Sequence, residues 1–420
     1  MTMTAPEKRA LWAWCLYDWA NSAFPTVIST FVFATYFVQG VAADTATGTA
    51  QWSLAMSAAG IAIAVLSPPL GAIADKGGAR KTLLLLATLV NVPLCASLWF
   101  VRPDPSYAVL GIVLAAAGTV AFEIGTVFYN SLLPGVAPPN LLGRASGWAW
   151  GIGYAGGLCA LAVCLLLLVR PDPSPLGLDR AQAEHVRAVG PLVALWWLAF
   201  SWPLFAFVRE PKVPGALPWG QAARQGIAAM ARVWPALQAV PGSARFLLAN
   251  MLYMNGLNTL FSFGAVYAAG SFGMTTEEVL LFGITLNVTA GLGAAGFAFI
   301  DDRFGAKPTV MVALLAMIGL GTLLLLARDK ALFWGLGLAL GVFMGPAQAA
   351  SRSLMARLAP ENLRGEFFGL FALSGRVTSF AGPAVLGAAT LISGSQRVGM
   401  ATILLFLAAG AWLLWGVRRA

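Results

Sequence analysis

Apolar residues run along this chain in blocks long enough to cross a bilayer, separated by short polar breaks. A transmembrane helix needs about 20 such residues. Blocks of that size fall near 11–39, 52–73, 82–101, 107–133, 145–169 and 188–208, then near 246–270, 278–300, 308–327, 331–356, 366–393 and 397–417. The pattern predicts an all-α integral membrane protein of twelve transmembrane helices in two six-helix bundles. The N-terminal bundle covers 1–208, a linker 209–245, and the C-terminal bundle 246–420. Between Pro218 and Val240 the linker spaces Ile227, Met230, Trp234 and Leu237 at helical intervals, with Arg232 opposite. That spacing predicts a helix lying in the membrane surface, interrupted near its end by Pro235.

Composition agrees with the periodicity. The chain is 59% hydrophobic and 10% charged, against about 25% charged in a soluble domain. With both termini on one side, that side holds 18 of the 26 Lys and Arg, the other side 7, and one, Arg376, lies within a span. Lys and Arg accumulate in cytoplasmic loops, so both termini and the linker are expected in the cytoplasm, with the chain in a bacterial inner membrane. The net charge of +9 is thereby a topology signal and not a nucleic-acid footprint. Cys15, Cys95, Cys159 and Cys164 all fall in apolar runs without a C-x-x-C pair, which speaks against a disulfide framework or a zinc site. The single histidine, His185, lies in a polar loop. No phosphate-binding glycine loop, metal motif or nucleophile motif is present, so neither ATP-driven transport nor an enzyme is expected, and no cofactor. The first apolar block contains Asp18 and lacks a small-residue cleavage site, which reads as a retained helix. Val-Arg-Pro-Asp-Pro-Ser occurs at 101–106 and again at 169–174, both read as Pro-rich turns ending helices.

The two halves repeat each other. Ser131–Gly153 and Ser353–Gly375 share the frame S-L-x4-A-P-x-N-L-x-G at an offset of 222, with Gly147 matching Gly369 and Gly153 matching Gly375. Asp75-Lys76-Gly77-Gly78-Ala79-Arg80 matches Asp302-Arg303-Phe304-Gly305-Ala306-Lys307 at an offset of 227. Duplicated halves in a very apolar chain point to a secondary transporter whose solute site lies where the halves meet.

The stretch from Gly71 through Asp75, Gly78, Arg80 and Lys81 fits G-x-x-x-D-[RK]-x-G-x-[RK]-[RK], and so resembles the loop between helices 2 and 3 of the major facilitator superfamily. Asp302, Arg303 and Gly305 carry the weaker copy between helices 8 and 9. Four further segments resemble the autophagy-related vacuolar amino-acid effluxers and their bacterial relatives. They are Leu16–Phe24, Phe128–Pro134, Gly147–Tyr154 and Glu366–Gly369. The resemblance covers essentially the whole chain and implies the major facilitator fold, alternating access and an amino-acid-like solute. It also implies that Asp75 faces a helix N-terminus of the other bundle, while Arg80 or Lys81 pairs with nearby carboxylates. Such a latch on the cytoplasmic side would favour the outward-facing state. This chain departs from the family pattern at helix 7, where Met254-Asn255-Gly256 replaces Asn-Asp-Gly, and at helix 11, where Arg376 replaces a lysine.

Asp18, Glu123 and Arg376 are the charges expected deep within spans, where each costs at least about 2.5 kcal/mol. Glu123 and Arg376 lie at matched depth. Asn21 and Ser22 share a helical face with Asp18, just before Pro25. Thr119, Thr126 and Asn130 share the face of Glu123. Asn255, Asn258, Thr259 and Ser262 form a stripe on the seventh span, and Gln348 and Arg352 line the tenth. The polar residues either contact solute or bond between helices. Arg352 is read as snorkelling from the cytoplasmic end. Gly147 with Gly151, and Gly153 with Gly157, are read as close-packing pairs, while Trp150 and Tyr154 either pack or stack on a ligand. Trp12 and Trp14 are read as interfacial belt residues.

These features predict a monomeric multi-pass secondary transporter of a small polar or amphipathic solute. Coupling is expected to protons through Asp18 or Glu123, with Arg376 as counter-charge. A uniporter, a sodium-coupled carrier and a non-transporting membrane sensor are the alternatives.

Overall fold

The computed structural model describes residues 3–174, 176–210, 213, 215–229 and 233–417. Twelve membrane helices follow in order. The first six are α1 (Ala5–Val41), α2 (Thr45–Gly77), α3 (Arg80–Phe100), α4 (Pro105–Val136), α5 (Pro139–Val169) and α6 (Glu184–Phe207). After the linker come α7 (Ser243–Phe272), α8 (Thr276–Phe304), α9 (Ala306–Leu326), α10 (Lys330–Leu358), α11 and α12 (Gln396–Trp415). Helix α11 is in two pieces, Arg364–Arg376 and Ala381–Ser393. Even helix number puts the described ends on one side of the membrane, called here the terminal side.

The ends of these helices are set by local chemistry. Thr275 and Glu278 form a capping box at the start of α8, and Asp329 accepts from the Leu332 N–H at the start of α10. Gly78 (φ +58°) and Gly305 (φ +97°), 227 residues apart, occupy the left-handed region in the turns α2–α3 and α8–α9. A side chain there would be strained, which explains the glycine in both copies of the loop motif.

Two compact units are present, each assembled from three segments. The first is Met1–Leu66, Gly78–Leu132 and Ile152–Lys212, and the second Ser67–Gly77, Leu133–Gly151 and Val213–Ala420. The terminal-side ends of α2, α4 and α5 thus belong with the second unit. The chain passes between units at 66/67, 77/78, 132/133, 151/152 and 212/213. Pro68-Pro69, Pro134 and Gly151 lie next to three of these crossings, and missing N–H groups or side chains there weaken helix continuity.

The first unit has a core of Phe24, Phe33, Phe37, Cys95, Cys164 and Trp197. Trp14 belongs to this unit's interior. It is 0% exposed, stacked on Tyr129 at 4.4 Å, and donates its indole N–H to the Tyr129 carbonyl. The belt reading therefore fails for Trp14, whereas Trp12 is exposed.

In the second unit the linker contributes two short helices, Trp219–Ala229 and Val233–Ala239. Gly226 sits against Ile73 of α2, Ala222 is buried, and the Leu217 N–H donates to the Lys76 carbonyl. Ile227 is 62% exposed while Leu237 is buried, so the predicted apolar stripe is divided between two helices. Met230 and Arg232 lie outside the described residues.

Candidate functional site

Helix α1 carries the polar turn of the first unit, and its neighbours hold it in place. Tyr129 donates its hydroxyl to the Trp14 carbonyl, and the Tyr17 hydroxyl bonds Thr88 Oγ1 at 2.8 Å. One turn further on stand Asp18 and Ser22, both half-buried, and Asn21, which is buried. Pro25 then removes one backbone donor, and from Phe24 to Phe31 the helix runs in π register. A glycine edge of α5 lies against this stretch. A Cβ at Gly153 would stand 2.9 Å from Ser22 Oγ, one at Gly156 2.5 Å from the Trp19 carbonyl, and one at Gly157 2.5 Å from Thr26 Oγ1. Only glycine allows this approach, so Gly153 and Gly157 are packing residues. Tyr154 is half-buried on the same helix, Asn130 buried near the end of α4, and Glu123 half-buried on α4 beside Phe122, whose ring stacks on Phe24.

The second unit holds the other polar set. Asn255 is buried on α7, with Thr259 Oγ1 donating to its carbonyl. Asn258 reaches the Gly375 carbonyl at 3.5 Å, and Asn250 donates to Ser374 Oγ at 2.7 Å. Arg376 ends the first piece of α11, half-buried. Gln348 donates to the Met344 carbonyl one turn before Arg352 on α10.

Arg352 corrects an expectation. It is 3% exposed and donates from Nε to Ser146 Oγ (2.8 Å) and from Nη2 to the Ser146 carbonyl (2.7 Å). Its guanidinium also lies 5.6 Å from the centre of the Trp150 ring. This is an inter-helix cation and not a snorkelling one.

At the terminal side of the second unit, the two copies of the loop motif each place a carboxylate on a helix N-terminus. Asp75 accepts from the N–H groups of Gly365 (2.8 Å) and Glu366 (2.9 Å) in the first turn of α11. Asp302 accepts from the Gly143 N–H (2.8 Å) and Arg144 Nε (2.7 Å) at the corresponding turn of α5. Free N–H groups and the helix dipole both favour an anion at such a terminus. Close backbone approach makes both contacts possible. A Cβ at Gly71 would stand 2.0 Å from the Gly365 carbonyl oxygen, one at Gly369 2.5 Å from that of Ser67, and one at Gly147 2.4 Å from that of Ala294. Arg303 is exposed and lies over Phe304.

In the first unit the Arg80 and Lys81 N–H groups both donate to Glu210, at 2.7 and 3.0 Å, and Lys81 Nζ donates to the Val208 carbonyl. Burial pushes the Glu210 carboxyl above its ordinary range, opposed by those two N–H bonds. Sequence reasoning missed Glu210, which carries no periodic or motif signal. It also passed over Arg144 and Glu366, although they occupy the same place in the repeated frame, directly after its matched glycine. Among the described residues no group of three or more His, Cys, Asp or Glu side chains could hold a metal ion.

Twelve membrane helices and repeated loop motifs define a multi-pass membrane protein of the major facilitator fold, the fold of secondary transporters. Solved structures share that fold along the whole chain. The proton:xylose symporter XylE aligns with a TM-score of 0.74 at 14% identity, covering 97% of this chain and 95% of that one. The transporter FucP in its outward conformation aligns at 0.72 with 15% identity and 98% of both chains, and a bacterial homologue of ferroportin at 0.71 with 16% identity, 98% and 99%.

The chain belongs to the family described as "Vacuole effluxer Atg22 like", whose sequence pattern matches residues 6–144 and 140–420. Relatives include an uncharacterized MFS-type transporter, YxiO, of Bacillus subtilis, 24% identical over 96% of this chain and 93% of the relative. Autophagy-related protein 22-1 of Neosartorya fischeri is 24% identical over 100% of this chain and 82% of its own length.

Proposed function

We propose that this chain exports an amino-acid-like solute across a bacterial inner membrane as a monomer, driven by protons and with its terminal side cytoplasmic. The observation that carries this reading is the polar turn Asp18–Asn21–Ser22, set where α1 leaves α register and pressed by the glycine edge of α5. An ionisable group kept at membrane depth costs free energy and marks a solute or proton path. Irregular helix at such a group frees backbone atoms for a ligand. Asp18 or Glu123 carries the coupling proton in this scheme, and Arg376 offers the opposing charge. Asn130, Tyr154, Asn255, Asn258 and Gln348 supply the remaining polar surface or its support. The family description as vacuole effluxers supports efflux, and the resemblance of the four segments to amino-acid effluxers supports an amino-acid-like solute.

The same reading makes Asp75 and Asp302 conformational latches. Their bonds lie on the terminal side, so they favour the state open to the opposite side, and they break when the terminal side opens. Six-helix bundles over 1–208 and 246–420, joined by the linker at 209–245, are the moving bodies of the mechanism.

Proteoliposomes containing a mixture of the proteinogenic amino acids test the coupling. An imposed pH gradient should drive accumulation of at least one of them in the wild type. Asp18→Asn should abolish that accumulation while solute exchange continues. A wild type that ignores the pH gradient but follows a sodium gradient defeats proton coupling. Full gradient response in both Asp18→Asn and Glu123→Gln makes these carboxylates structural.

A further inference from the structure

Asn255 stands on the polar stripe of α7, yet its amide is engaged wholly within the second unit. Nδ2 donates to the Thr378 carbonyl and, at 3.0 Å, to Thr378 Oγ1, while Oδ1 accepts from the Gly382 N–H at 2.9 Å. Thr378 lies in the turn at 377–380 that separates the two pieces of α11, and Gly382 lies in the first turn of the second piece. One side chain therefore bridges the interruption from both ends.

The interruption has a local cause. Pro383 has no N–H to donate, and its ring excludes a helical carbonyl four residues earlier, at Ser379. Backbone polar groups at a break at membrane depth find no water and need a protein partner. Asn255 partners two of them, the Gly382 N–H and the Thr378 carbonyl, which also accepts from the Ala381 N–H at 2.8 Å. An amide alone offers two N–H donors and a carbonyl acceptor together. The packing around it is tight. A Cβ at Gly382 would stand 2.0 Å from Thr259 Oγ1 and 2.6 Å from Asn255 Oδ1, so a side chain at 382 has no room. Asn250 and Asn258 hold Ser374 and Gly375 on the near side of the turn, so α7 grips α11 before and after its break.

We infer that Asn255 is a positioning residue: it splints the 377–380 turn of α11 and thereby sets where Arg376, the last residue before the turn, presents its charge, and it does not ligate the solute. The inference rests on the proposed role of Arg376 as the opposing charge in coupling. It assigns the departure from the family pattern at Met254-Asn255-Gly256 a structural task.

Hydrogen–deuterium exchange on the full chain in lipid nanodiscs tests this without any solute. Asn255→Ala should raise exchange of the backbone amides at 378–382 and 384 by about tenfold or more, the loss of roughly one strong hydrogen bond or two ordinary ones, while α9 stays unchanged. Asn255→Asp keeps the acceptor for the Gly382 N–H, so it should protect that amide better than alanine does. Should Asn255→Ala fail to fold, Thr378→Val removes only the hydroxyl and should give a smaller rise confined to the same amides. Unchanged exchange at 378–382 and 384 in the variant that folds overturns the splint. With the amino-acid mixture as probe, Asn255→Ala should lower the maximal exchange rate and leave half-saturation in place. A raised half-saturation at an unchanged maximal rate makes Asn255 a ligand and overturns the inference. If the wild type moves no amino acid, the proposed solute class fails, while the deuterium measurement still decides the splint.

Discussion

At the terminal side of the second unit, Asp75 meets the first turn of α11 and Asp302 meets the first turn of α5, in contacts that repeat at the offsets of the duplicated sequence. The two seams share their backbone. Gly369 lies on the Ser67 carbonyl as Gly147 lies on that of Ala294. Their charges differ. Where the second seam has Arg144, paired with Asp302 at 2.7 Å, the first has Glu366, 3% exposed and adjacent to Asp75. The second seam also holds Asp301 with Arg357 at 3.0 Å, and Ser353 donates to Asp301 at 3.2 Å. Duplication kept the fit of helix against helix and let the electrostatics diverge. In one seam Asp302 meets an N–H and an arginine, while in the other Asp75 meets two N–H groups with Glu366 beside it.

The comparison breaks first at Asp302. Asp302→Ala leaves the Gly143 N–H without its acceptor and removes the partner of Arg144, at a cost of about 3 kcal/mol, the upper end for hydrogen bonds to a charged group. A large fall in unfolding midpoint, much of it absent in the Asp302→Ala/Arg144→Ala double variant, is the expected result. Equal falls in the single and double variants would mean that the pair adds nothing.

Asp75→Asn is expected to be milder, about 1–3 kcal/mol, because the shape of the side chain and one acceptor oxygen are kept. Its effect should fall on conformation as well. Spin-label distances across the terminal-side ends of α2 and α11 should lengthen as the population moves toward the state open on that side. An unchanged distance distribution counts against a latch.

Glu366→Gln should have the smallest effect, and of the opposite sign. Removing a like charge beside Asp75 stabilises the seam by under about 1 kcal/mol, visible as a slightly raised midpoint. The gain should vanish in an Asp75→Asn background. Persistence there would show that Glu366 acts through some other group.

Much of the fold was legible in the chain because lipid imposes a length and a polarity on every span, and both are local properties. The paired glycines were legible for a similar reason. Gly78 and Gly305 answer to their own backbone angle, and the repeat frame marks Gly147 and Gly369 without any coordinates. The break in α11 was not read, although Pro383 hints at it, because proline inside a membrane helix is tolerated wherever a neighbour re-bonds the freed backbone. Whether a neighbour does so depends on Asn255, more than a hundred residues away. The same holds for Glu210 on the start of α3, for Ser146 under Arg352, and for Trp14 on Tyr129. Helical periodicity says which face a residue occupies but not what that face meets. A polar residue at membrane depth is costly whatever its partner, so the sequence by itself marked Asp18, Glu123 and Arg376 as candidates. Only the tertiary structure decided which asparagine, arginine or carboxylate is used up in holding helices together, since that depends on partners the chain brings together only on folding.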